Sequence, residues 1–205
     1  MKNLFTTAAF IAAVSTGSMV QGQDWYGSVF GAVSTGAYNF DFSHNLVYST
    51  DSGYLLGGTI GQTIAPGIRA EAELSYSDYE LDSYDADNAS GDLPDGFDLS
   101  TTYLMGNIWY DIPSAGGSTM TPYVGGGLGF GLVNYTSLGN DLDTSVAAAY
   151  QLGAGVQVPA GSGMVDIGYR FKGTAPFDSE FEDSVVYEDS TTSSHNLQVG
   201  YVMRF

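Results

Sequence analysis

From residue 25 onward the chain alternates with a period of two, and no stretch carries a 3.6-residue apolar stripe of helical length. Two-residue periodicity is the mark of a strand whose faces meet different surroundings. Eight such segments recur: 25–36, 53–64, 68–79, 100–112, 121–135, 145–158, 164–173 and 194–205. Each is long enough to cross a bilayer as a tilted strand, which takes ~9–11 residues.

The connections between them alternate in length. Residues 65–67, 113–120 and 159–163 are short, whereas 37–52, 80–99, 136–144 and 174–193 are long. Short turns at one end and long loops at the other are the layout of an even-numbered antiparallel meander closed across an outer membrane. The expected fold is therefore all-β: an eight-stranded antiparallel up-and-down transmembrane β-barrel.

The first residues read differently. Lys2, the apolar run 4–14 and the small residues around Val20-Gln21-Gly22 form a secretory signal peptide over 1–22, with the barrel domain occupying 23–205. Thr6, Thr7, Ser15, Thr16 and Ser18 interrupt the run, so it falls short of the ~20 apolar residues of a helical anchor.

Charge placement decides which face meets what. Charged residues make up 14% of the chain, against roughly a quarter in ordinary soluble domains. The net charge is −18, which argues against nucleic-acid binding through phosphates. There is no cysteine, so disulfide frameworks, thiol catalysis and cysteine metal sites are excluded. Apart from Lys2, the only bases are Arg69, Arg170, Lys172 and Arg204, and each sits in the polar phase of a two-faced segment. Arg69, Glu71 and Glu73 oppose Ile68, Ala70, Ala72 and Leu74; Asp166, Arg170 and Lys172 oppose Val165, Ile167, Tyr169 and Phe171. Arg204 opposes the row Leu197, Val199, Tyr201, Met203 and Phe205. If the apolar rows face lipid, where a charge costs ~2–4 kcal/mol near the midplane, then Arg69, Glu71, Glu73, Asp166, Arg170, Lys172 and Arg204 form a charge network in the lumen.

Glycine and aromatic residues fit this arrangement. Gly57 and Gly61 share the inward phase, as do Gly125, Gly127, Gly129 and Gly131, leaving room for long side chains from neighbouring strands. An eight-stranded barrel has an interior just wide enough for side chains to fill. Trp25, Tyr110, Tyr123 and Phe205 near the short turns, and Tyr54, Tyr76, Tyr150 and Phe171 near the long loops, suggest two interfacial girdles.

The segments 25–36, 53–76, 107–113, 121–131, 149–158, 166–170 and the final 200–205 resemble the small OmpA-like or OmpX-like outer-membrane β-barrel proteins of Gram-negative bacteria, the porin-family barrel domain. The resemblance implies an outer-membrane location, contact with membrane lipid and lipopolysaccharide, a monomer, and insertion by the barrel-assembly machinery. That machinery reads a C-terminal signal, here matched by Gln198, Gly200, Met203 and Phe205.

Three further motifs bear on chemistry. GGGLGFG (125–131) lacks G-x-G-x-x-G spacing and a following G-K-[ST], and reads as a barrel-lining strand rather than a phosphate cradle. DADNASGD (85–92) lacks the ligand spacing of a calcium loop and reads as a solvated acidic surface. The only histidines are His44 and His195. Some barrels resembling this chain are lipid-modifying enzymes using His-x-Ser, but Leu197 stands two residues after His195. No catalytic residue, metal or cofactor is expected. The expected role is non-enzymatic, in the structure of the envelope and in surface interaction, with charges plugging the lumen. The rivals are a narrow diffusion pore and a soluble ligand-binding barrel of lipocalin type, which would keep its apolar side inside. No motif names an external partner for the acidic loops.

Overall fold

The computed structural model describes residues 25–40, 46–80, 83–86, 89–92, 97–113, 119–137, 140–181 and 185–205. The expected signal peptide, His44 and Asp87 lie outside these residues. Among the described residues eleven strands follow in order: β1 (Trp25–Phe40), β2 (Leu46–Ala65), β3 (Ile68–Glu80), β4 (Ser83–Ala86), β5 (Ala89–Asp92), β6 (Phe97–Asp111), β7 (Thr121–Ser137), β8 (Asn140–Ala160), β9 (Gly163–Thr174), β10 (Phe177–Phe181) and β11 (Val185–Arg204).

Eight of them form the barrel wall, in the order β1-β11-β9-β8-β7-β6-β3-β2, and β1 pairs with β2 to close it. Every pairing is antiparallel. Closure leaves no edge within the wall, so each backbone N–H and C=O in the bilayer has a neighbour, as a spanning sheet requires. No helix among the described residues is long and apolar enough to cross a membrane; the crossing elements are strands.

The short turns have definite local causes. Between β2 and β3, Pro66 presets its φ and Gly67 takes a φ of 74°, a left-handed conformation that costs a side-chain-bearing residue energy. Gly67 O accepts the Asp111 amide at 2.7 Å, tying this turn to the end of β6. Gly161, at φ 62°, plays the same part between β8 and β9.

At the other end the strands run further than the alternation predicts. β1 reaches Phe40, β2 begins at Leu46 and β11 begins at Val185. The expected loop 136–144 is mostly strand, since β7 ends at Ser137 and β8 begins at Asn140. β4 with β5, and β10 with β11, add pairing within the other long connections. Beyond the bilayer both strand faces meet water, so the apolar–polar contrast vanishes while Thr, Ser, Tyr and Val still favour extended pairing.

The core lies inside and the greasy surface outside, the reverse of a lipocalin-type barrel. Leu128 is 73% exposed, Val33 70% and Leu197 64%, whereas Lys172 and Trp109 are each 1% exposed. Contiguous exposed apolar surface of this extent is foreign to soluble monomers and suits hydrocarbon.

Candidate functional site

The site is the lumen. β3 and β9 run upward from short turns, and their inward residues come in a fixed order. On β3 these are Arg69, Glu71 and Glu73, then Ser75 and Ser77; on β9 they are Asp166, Arg170 and Lys172, then Thr174. Period-two geometry puts each set on one face, so charges gather toward the short-turn half and hydroxyls above them.

Arg69 forms the first group. Its Nη1 lies 3.0 Å from Glu71 Oε1 and its Nη2 2.9 Å from Asp111 Oδ1. Tyr26 donates its hydroxyl to Glu71 Oε1 at 2.7 Å, and Trp109 donates its indole N–H to Glu71 Oε2 at 2.8 Å.

Arg170 forms the second group. Its Cζ stands 4.2 Å over the Trp109 ring, and its Nη2 donates to the Tyr123 hydroxyl at 2.8 Å. Tyr123 donates in turn to Asp166 Oδ1 at 2.7 Å, and Gln157 donates to Asp166 Oδ2 at 3.1 Å. A phenol therefore links this base to Asp166.

The third group is the most enclosed. Lys172 Nζ lies 2.5 Å from Glu73 Oε1, bridging β9 and β3 across the lumen. Ser75 donates to the same oxygen at 2.8 Å, while Asn107 and Gln151 donate to Oε2 at 2.9 and 2.8 Å. All the acceptor positions of this carboxylate are in use, which buried charge demands. Lys172 Nζ also sits 4.8 Å from the centroid of the Tyr103 ring.

Above the charges, Ser34 donates to Asn196 Oδ1, Asn196 donates to Ser194 Oγ at 3.0 Å, and Thr174 and Thr192 share a hydroxyl contact of 3.3 Å. The cavity left within the charged half amounts to about 20 Å³, enough for one or two water molecules.

Glycines make these side chains fit. A Cβ on Gly61 would meet the Tyr26 ring at 2.5 Å, one on Gly153 would meet Arg170 Cδ at 2.6 Å, and one on Gly127 would collide with the Asn107 amide.

Of the seven charges expected in the lumen, Arg69, Glu71, Glu73, Asp166, Arg170 and Lys172 come together there, while Arg204 does not join them. It occupies the last position of β11 and is exposed, because the inward phase at a strand end opens onto the barrel mouth. Tyr123 is corrected as well: it is 2% exposed and lines the lumen rather than a girdle. Asp111, Asn107, Trp109, Gln151 and Gln157 escape the sequence-based expectation. The phase of residues 103–111, in which Tyr103, Met105, Asn107, Trp109 and Asp111 alternate with Leu104, Gly106, Ile108 and Tyr110, carries the signal.

His195 stands in the lipid-facing phase, and its Nδ1 lies 2.5 Å from the Tyr169 hydroxyl rather than beside a serine. Ser194 points inward to Asn196. Among the described residues no group of three or more His, Asp or Glu could hold a metal ion.

A family model described as the outer membrane protein beta-barrel domain matches residues 6–205. Among solved structures, neisserial surface protein A is similar with a TM-score of 0.58 at 16% identity, over 88% of this chain and 97% of that one. Outer membrane protein OprG of Pseudomonas aeruginosa is similar with a TM-score of 0.52 at 11% identity, over 88% and 96%. Both likenesses concern the fold alone. No curated protein matches the sequence significantly.

Proposed function

The chain belongs to the outer membrane protein β-barrel domain family, and on that footing we propose that it is a non-enzymatic, monomeric wall protein whose closed lumen braces surface-exposed hairpins. Its place is the outer membrane of a Gram-negative bacterium. The role is structural and interactive: the barrel anchors in lipid and lipopolysaccharide, and its acidic long connections face the outside. Those connections carry Asp82, Asp85, Asp87, Asp92 and Asp95 in one, and Asp178, Glu180, Glu182, Asp183, Glu188 and Asp189 in another.

The observation that carries the plug reading is the Lys172–Glu73 pair. Both partners are almost wholly buried, and Ser75, Asn107 and Gln151 occupy the remaining acceptor positions. Removing either ion from its partner in so dry a place is expensive, so pairs do not open readily to let solutes pass. The rival reading, a narrow diffusion pore, draws on the small polar cavity beside Arg69 and Arg170. Planar-bilayer recording separates the two. The plug gives no stable channel, and sustained porin-sized conductance from the pure barrel overturns it.

Two companions of this reading concern biogenesis. Residues 1–22 direct export and are removed. Gln198, Gly200, Met203 and Phe205 form the mark read by the barrel-assembly machinery, and its support is geometric. Gln198 is buried on the inner face, while Met203 and Phe205 are 49% and 44% exposed on the outer one.

A further inference from the structure

Above the Lys172–Glu73 pair the lumen changes its contents. Three side chains stand level on the inner face of neighbouring strands: Tyr79 of β3 pairs in register with Leu99 of β6, and Leu99 with Tyr135 of β7. Phe177 of β10 joins them from the opposite wall. It pairs with Ser190 of β11, which shares the buried, inward phase of Thr192 and Ser194. The Ala175 amide donates to Ala148 O at 2.7 Å, which keeps the chain against the wall between β9 and β10. Room for the Tyr79 ring comes from Gly53, its registered neighbour on β2, where a Cβ would strike the ring. None of Tyr79, Leu99, Tyr135 and Phe177 is more than 8% exposed.

This row is separate from the charged half. A cavity of about 10 Å³ lies between Tyr79, Leu99, Tyr103 and Thr192, and it shares no lining residue with the one of about 20 Å³ beside Arg69 and Arg170. Tyr103, which bounds the upper space, lies 4.8 Å from Lys172 Nζ, and Glu73, the partner of that lysine, bounds the lower one. Among the described residues, no Asp, Glu, Lys, Arg or His occupies the inner face between the ion pair and the row. The positions there are Ser75 and Ser77 on β3, Tyr103 and Thr101 on β6, and Ser194 and Thr192 on β11. An ion in this stretch finds no counter-charge, and the upper cavity has space for about one water molecule.

We infer that Tyr79, Leu99, Tyr135 and Phe177 form a second closure of the lumen that does not depend on the charged layer, an inference that rests on the closed lumen proposed above. A narrow, mostly apolar constriction stops ions because an entering ion must shed water and finds nothing to replace it. The charged layer closes by a different means, since its groups hold one another by opposite charge and hydrogen bonds. The consequence is directional. Breaking the Lys172–Glu73 pair lets water rise from the short-turn mouth only as far as the row of Tyr79, Leu99 and Tyr135. Exchange of ion-pair partners therefore does not by itself open the barrel.

Planar-bilayer recording of four purified barrels tests the second closure: the wild type, Lys172→Ser with Glu73→Ser, Tyr79→Ser with Tyr135→Ser, and all four changes combined. Serine at 172 and 73 removes both ions together, so no bare charge is left buried. The first three barrels should be silent, and the combined variant should conduct. Stable conductance from Lys172→Ser with Glu73→Ser alone overturns the second closure, as does silence of the combined variant. Where a serine variant loses the unheated gel shift of a folded barrel, threonine at the same positions, better suited to a strand, takes its place with the same expectation. Conductance from Tyr79→Ser with Tyr135→Ser would overturn the charged plug and leave this closure as the seal, whereas wild-type conductance would overturn the closed lumen itself. The two readings therefore fail separately.

Discussion

Lys172 brings an ammonium group into a place where it is 1% exposed, and Glu73 answers it from the opposite wall. Such a pair contributes little over an apolar pair of the same shape, but losing one member strands the other. Lys172→Ala should therefore cost about 3–5 kcal/mol in urea unfolding of the barrel in lipid vesicles. Lys172→Met combined with Glu73→Gln should recover most of that loss, because no bare charge remains. Arg170 obeys a different rule. Asp166 keeps Tyr123 and Gln157 as donors whether or not Arg170 is present, so its removal orphans no carboxylate. What goes is the stack over Trp109 and two hydrogen bonds, to the Tyr123 hydroxyl and to Tyr169 O, about 3 kcal/mol together. Lysine at 170 should restore little of it, since an ammonium lacks the planar face that stacks; an unfolding midpoint equal to the wild type for Arg170→Lys would remove the stacking argument. The sequence alone points to Arg170 as an ion-pair partner because phase reveals which wall a residue faces, not which neighbour it meets across the lumen. The contact of Asp111 with Arg69, at 2.9 Å, is invisible for the same reason, although phase marks Asp111 as inward.

A strand's two faces are written in its sequence wherever one meets lipid and the other a packed lumen. Leu197, Val199 and Met203 against Asn196 and Gln198 form such a record, and the wall of β11 follows it. Outside the bilayer that record stops, although the strand does not: β8 starts at Asn140, within what alternation takes for a loop. Glycine placement is legible as phase but not as purpose. Gly127 lies opposite Asn107 in the β6–β7 register, and a Cβ there would strike the Asn107 side chain and approach Gly106 O at 2.6 Å. The asparagine cannot retreat, because its Nδ2 donates to Glu73 and its Oδ1 accepts from Gln151. Gly127→Ala should consequently destabilise the barrel by about 1–3 kcal/mol, the cost of overpacking. Gly106→Ala, whose Cβ would meet nothing closer than Leu128 O at 3.8 Å on the outer face, should cost far less. Equal losses in the two variants would mean that strand propensity, not lumen packing, sets the glycine requirement.

At the scale of the molecule, the barrel is polarised along its axis. Tight Pro-Gly and Gly-Ser turns close one end, while long hairpins carrying most of the acids extend from the other. Assembly of an outer-membrane barrel threads the short turns to the periplasm and the long connections outward, and negative charge on the far side keeps the exposed ends hydrated and apart. Thr144 and Ser162 mark the two poles: both are exposed, one at the hairpin end of β8 and the other in the β8–β9 turn. Cysteine is absent from the chain, so a single introduced thiol reports its own position without background. On intact cells an impermeant maleimide should label T144C and spare S162C, with S162C reacting only after the outer membrane is permeabilised. Both variants should remain in the outer-membrane fraction and migrate differently on a gel when left unheated, the behaviour of a barrel closed by its own hydrogen bonds. Labelling of S162C on intact cells would invert the molecule. The acidic hairpins would then face the periplasm.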